Sequence, residues 1–485
     1  MANKNILLIE PGYKNKYPPL GLMKIAQYHG PQGKRDSVRF IKGPDKVVLD
    51  TCWDRIYVTT LFSFEWKKIS EAIDFALVAA NSQSSKVFVG GIAASLMHEE
   101  FVKEVRWAGV RFIKGLLNQA PAVSLELDPF QEELYSEDTV GSHIEDIIPD
   151  YSILSQVDYK YPVHDAYFAY ASRGCVRKCS FCGVPKLEGD LYDTPSISGI
   201  VKGIEKLYGP KKDLILMDNN IVASPKFKEI IAEIRGLGFT AGAKLKRGRI
   251  PVQRRVDFNQ GVDARILCKT PMYAKELATI CTDPLRIAFD HLGFQKQYDQ
   301  SVRYAHEAGL SNLSNYLLYN FHEPPEDLYE RMWLNIKLNE ELNIRIFSFP
   351  MRYQPTNMPE RNHVGEKWNR YYLRSMQLIL QATHGIVSGA PEFFRRAFGS
   401  TADEFKLLLM KPHKYIFNRD WFEQLEGRSE LEQYQADFNR LSHGDHVDLL
   451  QALFNFETAA KYEYAMSTIT NSRVAKIFQF YRPLA

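Results

Sequence analysis

The sequence predicts an α/β protein in three parts: an N-terminal Rossmann-like parallel sheet, a partial (β/α)6 barrel and a C-terminal helical domain. Three observations predict it. Short apolar runs ending in Gly, Pro or polar residues alternate with helical patterns through the first 355 residues, which is the signature of parallel strands joined by crossover helices. An acidic, aperiodic stretch interrupts the alternation once. From residue 356 onward the pattern changes to helices dense in aromatics, without glycine-terminated strands. A chain of 485 residues is also too long for one ordinary core, so several domains are expected.

In order, NILLIE (5–10) is the first buried-strand candidate, followed by the Pro- and Gly-rich loop PGYKNKYPPLG and the helical pattern LMKIAQYH. RIYVTTLF (55–62) precedes the amphipathic run WKKISEAIDFALVAAN, and KVFVGG (86–91) ends in Gly90 and Gly91. Such sheets bind ligands at the carboxyl ends of their strands; a pair of glycines there serves a ligand or simply turns the chain. Residues 1–120 form this domain, and 121–165 are the acidic linker or wrapping segment. The barrel is expected over 166–355, from AYFAYAS (166–172), DLILMD (213–218), RRVDFNQ (254–260), LRIAFD (285–290), NYLLYNF (315–321) and RIFSFP (345–350). Its active residues belong at strand carboxyl ends. Residues 356–485 are the helical domain, expected to close the open side of the barrel.

Bulk properties exclude several classes. No apolar run reaches the roughly 18 residues of a membrane span, and MANKNILLIEPGY is too short and badly flanked for a signal peptide, so a cytoplasmic protein is expected. The formal net charge of +3 does not by itself predict a nucleic-acid partner. Six cysteines, clustered and not spread in pairs, argue against a disulfide framework and for a metal or redox site in a reducing compartment.

Three of those cysteines, Cys175, Cys179 and Cys182, fall within SRGCVRKCSFCGVP (172–185), spaced C-x3-C-x2-C and flanked by glycines. Thiolates suit iron–sulfur clusters and zinc. Structural zinc takes four ligands, and no fourth Cys or His lies nearby. A 4Fe–4S cluster held here leaves one iron open to a ligand that is not protein. An electron-transfer cluster and an unusual zinc site are the alternatives.

The C-x3-C-x2-C loop after the first strand of a partial barrel, with Phe181 just before the third cysteine, resembles the radical S-adenosylmethionine superfamily. The resemblance implies that the open iron is chelated by S-adenosylmethionine, cleaved reductively to yield a radical that takes a hydrogen atom from substrate. It also implies cofactor contacts at Asp218, Asn219 and Asn220 after the second barrel strand, at Gln260, Asp263 and Arg265 after the third, and at Asp290 after the fourth. Tyr319, Arg352 and Tyr353, at later strand ends, are candidates to face substrate. An electron donor such as flavodoxin or ferredoxin is the implied partner, with a small molecule or nucleotide as substrate.

ILLIEPGYKNKYPPLGLMKIA together with VFVGGIAAS resembles the cobalamin-binding domain of the cobalamin-dependent members. This implies a corrinoid beside Pro19, Leu20, Gly21, Gly90 and Gly91, with methyl transfer as the reaction, or a domain that keeps the fold as scaffold or lid. The D-x-H-x-x-G signature, whose histidine replaces the lower axial base, is absent; His29, His98, His143 and His164 are the histidines before the cluster loop. Only Cys52 precedes that loop and no cysteine follows Cys281, so a single cluster is expected. Cys268 and Cys281 read as buried small apolar residues. The basic run AKLKRGRIPVQRR (243–255) is a solvated face or meets an anionic ligand. A redox or sensing protein that uses its cluster without turnover is the second functional reading.

Overall fold

The computed structural model describes residues 3–117, 144–387, 389–454, 456 and 459–482; most of the predicted linker, and His143, lie outside the described residues. Two compact units result: residues 1–285 with 354–362, and residues 286–353 with 363–485.

The first unit opens with a five-stranded parallel sheet of order β2-β1-β3-β4-β5. Its strands are β1 (Asn5–Glu10), β2 (Ser37–Lys42), β3 (Arg55–Thr60), β4 (Val87–Gly91) and β5 (Arg111–Phe112). Sheets covered on both faces need apolar residues at successive positions: Ile6, Leu7, Leu8 and Ile9 are all fully buried. Helices α1 (Leu20–His29), α2 (Trp66–Ala79) and α3 (Ile92–Leu96) connect the strands. Ile69, Ile73 and Ala76 of α2 pack with Leu7, Ile56, Val58 and Val89 in one core, and each large aliphatic there contributes about 1.5–3 kcal/mol. The order places the topological switch between β1 and β3.

A second parallel sheet of the same unit has order β12-β9-β6, from β6 (Ala166–Ala169), β9 (Asp213–Leu216) and β12 (Val256–Phe258). Two helices connect these strands. Residues Ile197–Tyr208 bury Ile197, Val201 and Ile204, and Phe227–Gly236 bury Phe227, Ile230, Ile231 and Ile234; their opposite faces stay polar, as crossover helices require. Between β6 and β9, the short strands β7 (Ser172–Arg173) and β8 (Tyr192–Asp193) pair antiparallel. Before β12, β10 (Lys244–Leu245) and β11 (Val252–Gln253) make a hairpin.

The second unit carries most of a three-stranded sheet of order β13-β14-β15, from β13 (Leu285–Arg286), β14 (Asn312–Tyr319) and β15 (Arg345–Arg352). The last two are parallel over eight residue pairs. The helix Pro325–Leu342 places Arg331, fully buried, against Asp327 at 2.5 Å and the carbonyl oxygens of Phe289 and Leu318. Helices from Arg370–Ala382 to Ser472–Phe478 follow, with Tyr371, Tyr434 and Tyr481 in their core. No helix among the described residues is long and apolar enough to cross a membrane.

Candidate functional site

The β7–β8 pair ties off residues 174–191 as a loop. Gly174 sits at φ +69°, where an added Cβ would lie 2.1 Å from the Asp190 carbonyl oxygen, so only glycine lets the chain turn into Cys175. The Cys175 amide then donates to the Gly189 carbonyl at 3.2 Å. Glu188 braces the base, accepting from the Gly174 amide at 2.9 Å, Arg173 at 3.0 Å and the Asn219 side-chain amide at 2.9 Å. Gly183 faces the first sheet domain: a Cβ there would come within 2.9 Å of Leu96 Cδ1 and 3.7 Å of Thr356 Cγ2.

Cys175, Cys179 and Cys182 are partly buried. Backbone amides point at two sulfurs, Arg177 N at 3.3 Å from Cys175 Sγ and Val184 N at 3.5 Å from Cys182 Sγ, and the Asn220 side-chain amide lies 3.8 Å from Cys175 Sγ. Among the described residues no three His, Cys, Asp or Glu side chains converge as the shell of one metal ion; a cubane asks for no such convergence, since each thiolate binds its own iron. Three soft donors, two of them with N–H groups at their sulfurs, fit a 4Fe–4S cluster.

The predicted strand-end residues divide by role. The Asp218 carboxylate is buried and accepts from the amides of Ala171 and Ser172 and, at 2.7 Å, from the Ser172 hydroxyl; it fastens β9 to the chain leading into the loop. Burial pushes its pKa up to about 6 against the pull of these donors. Asn219 meets Glu188. Asn220 carries a buried side-chain oxygen without a hydrogen-bond partner, an acceptor beside Cys175 suited to an ammonium group. Asn259 accepts from the Tyr17 hydroxyl at 2.7 Å, and Gln260 is exposed in the turn ending at Gly261. Asp263, 6% exposed, takes Arg177 Nε of the loop at 2.8 Å and the Arg265 backbone N, Nε and guanidinium at 2.9, 2.8 and 3.0 Å. Burial works to raise the Asp263 pKa, yet these two arginines hold it below the usual carboxylate range. Phe181 is half-buried in the loop.

The other predicted residues belong to the second unit. Asp290 follows β13, half-buried, and adds negative charge near Arg331. Tyr319 and Arg352 are register partners at the ends of β14 and β15; the Tyr353 amide donates to the Tyr319 carbonyl at 2.8 Å, and Arg352 donates to the His363 carbonyl at 3.0 Å. These three are therefore brought together.

At the carboxyl edge of the first sheet, side chains satisfy one another. Glu10 pairs with Lys42 at 2.8 Å and accepts from Asn15 and Tyr161. The Lys42 ammonium lies 4.5, 5.2 and 5.4 Å from the ring centres of Tyr159, Tyr161 and Tyr13. Tyr13 and Phe62, at the ends of β1 and β3, meet edge to face at 5.4 Å over the switch point. Thr60 Oγ1 donates to the Gly90 carbonyl and accepts from Ala94 N. Gly91, at φ +105°, has no room for a Cβ against the Thr60 backbone. Gly21 is exposed, Pro19 precedes α1 and Leu20 is its first residue. These contacts supply no ligand for a corrinoid metal.

Sequence reasoning did not single out Arg177, Ser172, Glu188 or Leu96. Nor did it find a cavity of about 450 Å³ lined by Lys24, Glu145, Phe168, Tyr170, Arg173 and Ile200 among others; none of the three cysteines lines it. Of the basic run, Arg254 stacks 3.7 Å from the Phe239 ring centre, Arg247 pairs with Asp165 at 2.7 Å and Arg255 with Asp283 at 3.4 Å. Lys244, Arg249 and the rest of the hairpin tip are exposed.

Three cysteines on a braced loop are entered from the first strand of a parallel β/α array, the arrangement that the resemblance to the radical S-adenosylmethionine superfamily implies. The chain's likeness to particular proteins is distant. The ribosomal protein uS12 methylthiotransferase RimO of Thermotoga petrophila is 30% identical over 201 residues, 38% of either chain. That of Thermosipho africanus is 30% identical over 188 residues, 37% of this chain and 36% of the relative; that of Xanthomonas oryzae pv. oryzae is 24% identical over 227 residues, 45% and 44%. The chain thus spans about two fifths of the length of the curated relatives it matches. Among solved structures, the radical S-adenosylmethionine methyltransferase TsrM from Kitasatospora setae, with tryptophan substrate and the analogue aza-SAM bound, aligns at TM-score 0.48 and 14% identity over 85% of this chain and 90% of its own. No family model matches the chain.

Proposed function

We propose that this protein holds one 4Fe–4S cluster on Cys175, Cys179 and Cys182, binds S-adenosylmethionine at the remaining iron, and activates a C–H bond of its substrate. The observation that carries the reading is the orphaned Asn220 oxygen beside Cys175, an acceptor for an ammonium group within reach of the cysteine loop. When bound, the reduced cluster supplies the electron that cleaves the sulfonium. The chain's own part is to hold the loop: Gly174 and Glu188 at its base, Asp218 on the strand leading in, Asp263 through Arg177. Gln260 on the exposed turn and Phe181 in the loop are proposed neighbours of the cofactor, and Asp290, Tyr319, Arg352 and Tyr353 of the cofactor or substrate. An external one-electron donor and a cytoplasmic setting belong to the proposal, as does the division into 1–120, 121–165, 166–355 and 356–485.

The test is anaerobic reconstitution, reduction and incubation with S-adenosylmethionine. 5′-Deoxyadenosine or S-adenosylhomocysteine is expected; a protein with intact cluster absorbance that forms neither is a redox or sensing protein instead. Methyl transfer through cobalamin is the finer reading that the superfamily offers. Hydroxocobalamin added to the purified chain and followed by gel filtration decides it, comigrating stoichiometric corrinoid absorbance being the result in its favour.

A further inference from the structure

The loop after β1 belongs to the first sheet, yet its Tyr17 side chain reaches the second. The Tyr17 ring meets Phe168 of β6 edge to face at 6.0 Å, and its hydroxyl donates to Asn259 Oδ1, one residue beyond β12, at 2.7 Å. β6 and β12 flank β9 in this sheet, so they stand about 9.5 Å apart at the spacing of neighbouring strands, and the tyrosine bridges that width. It is delivered on a stiff stalk. Asn15 Nδ2 donates to the Tyr17 carbonyl at 2.8 Å, Tyr159 Oη accepts from Asn15 N at 3.1 Å and donates to the Asn15 carbonyl at 2.7 Å, and Val163 N donates to the Lys16 carbonyl at 3.1 Å. Pro18 and Pro19, both buried, follow at once and restrict the backbone of Tyr17 as well as their own.

The segment that Tyr17 grips is the turn closing the third barrel strand. Asn259 N donates to the Leu216 carbonyl at 3.2 Å and Gly261 N to the Phe258 carbonyl at 2.7 Å, with Gly261 at φ +84°. At the far end of the turn Asp263 accepts from Arg177 Nε of the cysteine loop at 2.8 Å. Gln260, exposed, therefore stands between two side-chain anchors, one to the cysteine loop and one to the first sheet domain.

We propose that Tyr17 is a positioning residue for S-adenosylmethionine: by holding Asn259 it fixes the turn that presents Gln260 to the cofactor, and the first sheet domain thereby takes part in cofactor binding. A turn already held in its binding conformation loses little freedom when the ligand arrives, so an anchor raises affinity without touching the ligand. The inference rests on the S-adenosylmethionine reading made above and needs no corrinoid.

The experiment is equilibrium dialysis of S-adenosylmethionine against the reconstituted full chain with its cluster oxidised, so that binding is read without cleavage, and with iron and sulfide measured on every sample. The proteins are wild type, Tyr17→Phe, Asn259→Ala, the double variant and Lys14→Gln. Tyr17→Phe keeps the ring on Phe168 and removes the hydroxyl; it is expected to raise the Kd about fivefold, the equivalent of one net hydrogen bond, at unchanged cluster content. Asn259→Ala is expected to match it, and the double variant to bind no more weakly than either single change, because both remove the same bond. Lys14→Gln, at an exposed position of the same loop, is expected to bind as wild type. An unmoved Kd in Tyr17→Phe, losses that multiply in the double variant, an equal loss in Lys14→Gln, or cluster content that falls in step with affinity overturns the proposal. A wild type that loads its cluster and binds no S-adenosylmethionine overturns the proposed function first.

Discussion

Two glycines of the cysteine loop share one backbone property and differ in one steric one, so their alanine variants measure what the loop requires. Gly174 and Gly189 lie at φ +69° and +76°. Either substitution costs roughly 1–2 kcal/mol for placing an L-residue in the left-handed region. At Gly189 nothing lies within 4 Å of the added Cβ; at Gly174 it falls 2.1 Å from the Asp190 carbonyl oxygen and 2.9 Å from that of Gly189. These are backbone atoms, so relief means moving the 188–190 turn away. That motion breaks the Cys175 N–H···Gly189 bond, worth about 1 kcal/mol, and the Gly174 N–H bond to the Glu188 carboxylate, worth about 1.5–3 kcal/mol. Gly174→Ala should therefore destabilise the cluster-ready loop by about 3 kcal/mol more than Gly189→Ala, on the order of a hundredfold in its population. Iron and sulfide content with cluster absorbance after anaerobic reconstitution, at limiting iron, reads that population. Gly189→Ala is expected to load close to wild type and Gly174→Ala to load poorly, with circular dichroism unchanged in both. Equal loading of the two variants would refute the reasoning.

Other perturbations have equally definite outcomes. Cys179→Ala is expected to abolish the cluster; full-stoichiometry 4Fe–4S absorbance in that variant removes Cys179 from the ligand set. Arg331→Met strands the Asp327 carboxylate in the second unit and should lower stability by about 3–5 kcal/mol, read as a drop in urea midpoint; Arg331→Met with Asp327→Leu should cost less than the single change, and an additive loss would contradict the pairing. His413 stacks 4.1 Å from the Tyr371 ring and burial pushes its pKa down to about 4. The unfolded chain binds its proton near pH 6.5, so between about pH 6.5 and 4 the unfolded state holds more protons and stability falls as pH falls, by up to roughly 3 kcal/mol. Urea titrations of wild type and His413→Phe across that window should diverge, and parallel curves would show the imidazole to be solvated.

Strand existence was legible wherever apolar residues run uninterrupted: β1 has the expected bounds, and β3 and β4 differ by at most two residues. β2 was not, because SVRFIK sits at the sheet edge and its Arg39 breaks the apolar run. The first four barrel strands proved shorter than their sequence runs, and the last two longer. RRVDFNQ keeps only Val256–Phe258, since Arg254 turns onto Phe239 and Asn259 begins the turn closed by Gly261. LRIAFD keeps Leu285–Arg286, whereas β14 begins three residues earlier than expected. The cysteine loop was legible because its chemistry is local in sequence. What holds it is not local: Asp218 finds its donors 46 and 47 residues away and Asp263 reaches Arg177 across 86, separations that spacing rules do not encode.

The lysine ringed by tyrosines at the edge of the first sheet bears on how the chain can be cut. Tyr159 and Tyr161 stand just ahead of β6, yet their rings and a phenol hydroxyl cover the Lys42–Glu10 ion pair of the opening strands. A fragment ending at residue 120 would bare that ion pair at the carboxyl edge of its sheet. Residues 1–117 and 144–485 produced as two separate chains should accordingly copurify until denatured.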